Sequence, residues 1–316
     1  MESRAQEDHL DTPGSMDFLS HGVLMSRLGE KGTMINTVGL VAKHGEAKAV
    51  VIAKWLVPWL KKRGKQILVE PGFTESGGKA SEKEAMVKSA DLIVVLGGDG
   101  TFLSIARLVE NPEVPIMGVN LGGLGFITEI AADELESVLE NVLKGDFSVQ
   151  KRMTLELRVH SKNAKPRKFR VLNDGVITKG ARSKIIGLET YVGNEYLCTY
   201  RADGLVIATP TGSTAYSMAA GGPIIYPSLG AIILSPICPH MLTNRPIVIS
   251  NKSTVRVTLR SGEDTVFLSP DGQQAIHLTD GDIVEARDYG VPVSLVEAPS
   301  RGYFDILRNR LKWGER

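Results

Sequence analysis

Along the first half of the chain, short wholly apolar runs alternate with segments whose apolar residues recur every three or four positions. This pattern predicts buried strands over residues 38–42, 66–69, 92–96 and 116–119, and helices over 47–62, 81–89 and 133–143. Strand alternating with helix is the signature of a parallel sheet with helices on its faces. After about residue 147 the period falls to two, in Leu155-Glu156-Leu157-Arg158-Val159, Val255-Arg256-Val257-Thr258-Leu259 and Val266-Phe267-Leu268. Turn pairs Gly193-Asn194, Ser261-Gly262, Asp271-Gly272 and Asp280-Gly281 punctuate these runs, which predicts antiparallel strands. Near the end, Phe304, Leu307 and Leu311 share one helical face. The expected fold is therefore α/β plus all-β: an open α/β sheet over 34–146, a many-stranded antiparallel unit over 147–300, and a helix within 301–316 that docks back. Residues 1–33 are polar and acidic without periodicity and read as a disordered extension or an over-long start, with Met16, Met25 and Met34 as alternative beginnings.

Composition narrows the class. With 37 Lys and Arg against 36 Asp and Glu, the 316-residue chain carries a net charge of +1, without the surplus that nucleic acid or an anionic membrane surface demands. No apolar run reaches membrane-spanning length, and the most apolar stretch, 224–237, is interrupted by Pro227, Ser228, Gly230, Ser235 and Pro236. Cys198 and Cys238 form no Cys-x-x-Cys pair and the six histidines are scattered, which argues against a disulfide framework or a structural zinc site. A cytoplasmic protein is expected.

Four stretches carry candidate chemistry. An apolar strand enters Gly97-Gly98-Asp99-Gly100-Thr101, with a helix expected from Leu103: a turn whose amides and helix N-terminus suit phosphate. Neither the dinucleotide fingerprint nor a Gly-x4-Gly-Lys-Ser/Thr loop is present, and no lysine or arginine falls within the turn. Asp99 beside bound phosphates would repel them unless it met a metal or took a proton, so it points to phosphoryl transfer; taken alone, it is equally an acidic turn residue holding its own backbone. A second glycine turn, Gly118 to Phe126, also follows a strand. Asn173-Asp174-Gly175 is by default a hairpin turn, or else an adenine- and ribose-binding pair. The run from Thr209 to Ser217 offers hydroxyls, close backbone and a stackable Tyr216, or simply a capped helix start at Thr211 or Ser213.

Taken in order, Leu96-Gly97-Gly98-Asp99-Gly100-Thr101, Gly118 to Phe126, Asn173-Asp174, Asp203-Gly204, Thr209-Pro210-Thr211-Gly212-Ser213-Thr214-Ala215-Tyr216 and Gly221-Gly222-Pro223 resemble the NAD kinases over about residues 35–313. The resemblance implies phosphorylation of the 2′-hydroxyl of the NAD adenosine ribose by ATP, or by polyphosphate in some members, with a divalent cation such as magnesium and in homo-oligomers, dimers or tetramers. It implies that Asp99 accepts the proton and that Gly100, Asn173, Asp174, Thr214, Ala215, Tyr216, Ser217, Met218 and Ala219 contact the nucleotide. Lys184, Arg201, Asp203 and Gln273 match further contact positions. Many members carry Asn-Glu where this chain has Asn173-Asp174, so the carboxylate here is one methylene shorter. A lipid kinase of the diacylglycerol type shares the glycine turn but would need an apolar cleft. A non-catalytic NAD or NADP sensor would bind without turnover.

Overall fold

A computed structural model of the chain describes residues 34–123, 125–162, 164–181 and 183–314. The extension expected over 1–33 lies outside the described residues. The first half builds β1 (Thr37–Ala42), α1 (Ala47–Lys62), β2 (Gln66–Val69), β3 (Lys79–Ala80), α2 (Lys83–Ser89), β4 (Leu92–Leu96), α3 (Asp99–Ala106), β5 (Ile116–Asn120), β6 (Ile130–Ala131) and α4 (Leu135–Lys144). Its strands pair in parallel in the order β3-β2-β1-β4-β5, with β6 also on β5. Every residue of β4 and β5 is buried, as helices on both faces require. One such helix is α1, whose Ala49, Ile52, Ala53, Leu56, Val57 and Leu60 fall on a single stripe against that sheet.

The second half forms two antiparallel sheets. One runs β15 (Ile247–Ser250), β14 (Ala231–Ile237), β13 (Gly204–Ala208), β10 (Asp174–Lys179), β17 (Val266–Pro270), β18 (Ile276–Leu278). The other runs β12 (Glu195–Ala202), β11 (Ile186–Val192), β16 (Val255–Arg260), β19 (Ile283–Asp288), β8 (Leu155–His160), β9 (Arg167–Val171). Their inner residues, among them Leu157, Leu188, Leu205, Val257, Leu268 and Val284, share one core, which makes a β-sandwich.

Three expectations change. The parallel sheet is completed by β20 (Val293–Val296), parallel to β5, and by β7 (Val149–Arg152), antiparallel to β20, so residues 147–300 do not all belong to the sandwich. Val293 and Leu295 are apolar enough to bury in the first half's core, which short strands of either unit would satisfy equally. Asn173-Asp174-Gly175 is not a hairpin: β9 and β10 lie in different sheets, and the segment between them crosses from one to the other. Likewise Ser261-Gly262 and Asp280-Gly281 join strands of opposite sheets, whereas Gly193-Asn194 and Asp271-Gly272 do lie between paired strands. The closing helix α6 (Tyr303–Leu311) is present, but it buries Ile306 and Leu307 and leaves Phe304 60% exposed.

The two halves are joined by buried contacts. Leu172 packs with Phe102, Ile105 and Val293 in the α/β core. Arg170 of β9 donates to the Val109 carbonyl just beyond α3, to Thr154 Oγ1 at 3.1 Å and to the Val291 carbonyl at 2.7 Å. Arg152, 2% exposed, pairs with Glu129 at 3.4 Å. Among the described residues no helix is long and apolar enough to cross a membrane.

Candidate active site

Loops at the carboxyl ends of β4 and β5 meet at Asp99. Gly98 is the N-cap of α3, so the helix begins at Asp99 rather than at Leu103, and both Asp99 and Gly100 stand in its first turn. A carboxylate there gains from the positive end of the helix dipole. Its Oδ1 accepts from the amides of Ile127 (3.3 Å) and Thr128 (3.1 Å) and from Thr128 Oγ1 (3.0 Å); among the described residues its Oδ2 accepts only from the Phe126 amide (3.0 Å). Asn120 Nδ2 in turn donates to Thr128 Oγ1 at 2.9 Å. A carboxylate offers about four lone-pair directions, two on each oxygen, so Oδ2 retains one for an incoming hydroxyl. Asp99 therefore holds backbone, though of the second glycine turn rather than its own. Gly125 makes room for this, since a Cβ there would stand 2.2 Å from Asp99 Oδ1. Lys43 follows β1 and donates its amide to the Leu96 carbonyl at 2.9 Å, which brings a cation to the glycine turn that itself has none.

Across the junction, a cleft of about 450 Å³ is lined by Asn173, Asp174, Ala215, Tyr216, Asp271 and others. The Thr209–Ser217 run forms a 3-10 turn over Thr211–Thr214 and a single helical turn, α5 (Tyr216–Ala219); no side-chain cap is made. Instead Thr209 Oγ1 donates to the Leu172 carbonyl at 2.6 Å and accepts from the Gly212 amide at 3.0 Å. A Cβ on Gly212 would stand 2.1 Å from the Asn173 carbonyl oxygen, so only glycine lets the two segments touch. Asn173 is buried, and among the described residues its Oδ1 has no hydrogen-bond partner. The Asp174 carboxyl, 5% exposed, is pushed up to about 7 by burial and by the neighbouring Asp271 charge. Burial also lifts Glu129, beside the Asp99 loop, to about 7 in spite of Arg152.

Of the residues named from sequence, Asn173, Asp174, Ala215 and Tyr216 converge on the cleft, with Gln273 in the exposed turn just after Asp271-Gly272. Thr214 and Ser217 are buried behind it, and Ser217 Oγ is engaged by Ser235 Oγ at 3.0 Å. Met218 and Ala219 follow on α5. Lys184, Arg201 and Asp203 do not join them. Asp174 pairs with Ala208 and Thr178 with Gly204, so Asp203 lies at the far end of the β10–β13 ladder, roughly 13–17 Å away, at 3.2 Å from Lys179. Lys184 and Arg201 are exposed there. Sequence reasoning missed Thr128 and Asp271 as site residues; the signal for the latter was the Asp-Gly pair just before Gln273, read only as a turn.

An acid at the head of a helix on the carboxyl edge of a parallel sheet, joined by buried contacts to a sandwich with a polar cleft, is an arrangement that suits a two-domain nucleotide phosphotransferase. Comparisons specify which. A family profile described as "ATP-NAD kinase N-terminal domain" matches residues 38–147, and one described as "ATP-NAD kinase C-terminal domain" matches 172–297. An NAD kinase of Geotalea daltonii is 47% identical over 281 residues, covering 88% of this chain and 99% of that one. An NAD kinase of Geobacter sulfurreducens is 48% identical over 281 residues with the same coverage. Among solved structures, yeast NADH kinase complexed with NADH superposes with a TM-score of 0.82 at 25% identity, covering 90% of each chain. An NAD kinase from Archaeoglobus fulgidus in complex with ATP shares the fold, with a TM-score of 0.70 over 86% of this chain and 99% of that one. The chain belongs to the ATP-NAD kinase family.

Proposed function

We propose that this protein transfers the γ-phosphoryl group of ATP to the 2′-hydroxyl of the adenosine ribose of NAD, giving NADP and ADP. The observation that carries the reading is the buried, unpartnered Asn173 Oδ1 beside Asp174 in the Tyr216-lined cleft: an acceptor awaiting a base-edge donor. Tyr216, 45% exposed, offers a stacking face. The ribose 2′-oxygen attacks the γ-phosphorus, the bond from that phosphorus to the β-bridging oxygen breaks, and the 2′-hydroxyl proton passes to Asp99 Oδ2. A positioned carboxylate of this kind contributes roughly 10²–10⁴-fold. The amides that grip Asp99 fix its direction, and the first turn of α3 faces the phosphates with its dipole.

Among the described residues no three His, Cys, Asp or Glu side chains converge to cage a metal. A divalent cation, magnesium by preference, would accompany the ATP substrate on its phosphates and offset the charge of the transferred group. Lys43, whose backbone abuts the glycine turn and whose exposed Nζ lies 3.8 Å from Glu46 Oε2, is the cation we assign to meet the phosphates. Lys184, Arg201 and Asp203, remote from their own cleft, would serve a nucleotide bound by another copy, which favours a homo-oligomer. We place the protein in the cytoplasm, where free thiols such as Cys198 and Cys238 persist.

The test is chromatography of protein incubated with NAD, ATP and magnesium. A 2′-phosphorylated product confirms the assignment; labelled diacylglycerol without NADP, or NAD binding without turnover, defeats it. Replacing ATP by polyphosphate decides the donor.

A further inference from the structure

We propose that Asp271 is a positioning residue for the nucleotide-acceptor site, holding Asn173 and Asp174 in the direction that NAD requires. The proposal rests on the kinase reading of the same cleft. Asp271 is 7% exposed and sits at φ +47°, followed by Gly272 at +64°, a left-handed pair that an aspartate tolerates better than most residues. Held so, its carboxylate turns back toward the crossing segment: Oδ2 accepts the Leu172 amide at 2.8 Å, and Oδ1 accepts the amides of Asn173 (2.8 Å) and Asp174 (3.1 Å). Its own amide donates to the Asp174 carbonyl at 2.8 Å. One side chain thus gathers three successive amides of a segment that belongs to no sheet ladder at Leu172 and Asn173. Without it those buried donors would lack partners, which a chain crossing between sheets cannot otherwise supply. On the other side the Thr209 amide donates to the Asn173 carbonyl at 2.8 Å, so the crossing is clamped from both faces.

A consequence distinguishes this clamp from mere structural support. Its negative charge lies against Asp174, whose carboxyl has no oppositely charged partner among the described residues, while Arg107 beyond α3 faces Asp271 and Tyr216 of α5 also lines the cleft. Two buried carboxyls this close resist ionising together. An ionised Asp174 accepts from ribose hydroxyls with both oxygens and more strongly than the protonated acid, so NAD binding in the wild type should weaken as pH falls through about 7.

The experiment measures kcat, KM for NAD and KM for ATP from pH 5.5 to 8.5 for the full-length wild type, Asp271→Asn and Asp174→Asn, with thermal melts alongside. Asp271→Asn keeps the shape but puts an amide against at least one N–H donor. It should raise KM for NAD about tenfold, leave kcat and KM for ATP within about threefold, and move the pH midpoint of the NAD KM to lower values. Asp174→Asn, which leaves all of Asp271's amide contacts in place, should abolish that midpoint. Unchanged NAD KM and midpoint in Asp271→Asn would overturn the proposal, as would a joint loss of kcat, both KM values and melting temperature. Should Asp271→Asn not fold, persistence of the midpoint in Asp174→Asn overturns it and its loss supports it. A wild type that makes no NADP would instead defeat the kinase reading.

Discussion

At Asp99 a single carboxylate accepts from three loop amides and from Thr128 Oγ1, three of these four donors sharing Oδ1, so Oδ2 keeps one direction for chemistry. Asp99→Asn retains a helix-starting polar group but cannot take the proton. Turnover should fall at least ~10²-fold while NAD affinity changes only a few-fold; wild-type-like kcat would remove Asp99 from the mechanism. Gly125→Ala tests the position rather than the proton. Its Cβ would meet Asp99 Oδ1 at 2.2 Å and Thr128 Oγ1 at 2.4 Å, so the carboxylate must move. A displacement of about 1 Å costs on the order of 10² in kcat, and calorimetry should still find NAD bound. The acid was legible in the sequence because a charge among glycines after an apolar strand is a local anomaly. What Gly125 and Thr128 do was not, because their partner is remote in sequence and nothing local reports it.

Among elements, the crossing from β9 to β10 and the docking of α6 define the site's frame. Gly212→Ala would drive a Cβ to 2.1 Å from the Asn173 carbonyl. Overpacking of this kind costs typically 1–3 kcal/mol, and the strain falls on the acceptor pair, so the melting temperature should drop and KM for NAD rise together; a variant with native NAD KM would refute the close approach. At the C-terminal end, Arg301 Nη1 donates to the Glu129 carbonyl at 3.1 Å and to Glu134 Oε2 at 3.0 Å, and Arg310 lies over the Phe126 ring at 5.4 Å. The C-terminal segment, Arg301 together with the last helix, thereby braces the loop that grips Asp99. Arg301→Ala is expected to lower stability by about 1–3 kcal/mol in denaturant unfolding. The helix itself was readable from its period. Its inward face was not, since Ile306 and Leu307 are buried by what they dock on, while Phe304 on the expected stripe meets Tyr226 at 5.8 Å and stays largely exposed.

For the molecule as a whole, three buried carboxyls, Glu129, Asp174 and Asp271, are held above the ordinary carboxylate range, to about 7, 7 and 6. A group whose folded pKa is raised contributes stability that is complete below its unfolded pKa and is lost as pH rises through the folded value. Glu134 and Glu156, held low by hydrogen bonds to Ser300 and the Ala131 amide and to Arg158 and Arg287 respectively, act in the opposite sense but only below the ordinary range. Between pH 5 and 8 the melting temperature should therefore decline as pH rises, and Asp174→Asn should flatten the decline; a wild-type curve flat over that interval would contradict the burial assigned to these groups.

By itself the sequence determined the kinds of element and their order, because burial on one or both faces writes its period into neighbouring residues. It also marked the Gly-Gly-Asp turn as chemically unusual and, through the family resemblance alone, the Asn-Asp pair as a nucleotide contact. Only the tertiary structure decided that β7 and β20 complete the first sheet, that Asn173-Asp174 spans two sheets rather than turning a hairpin, and that Lys184, Arg201 and Asp203 stand apart from the cleft. Sheet membership and convergence depend on which distant surfaces bury one another, and near-neighbour periodicity carries no record of that choice.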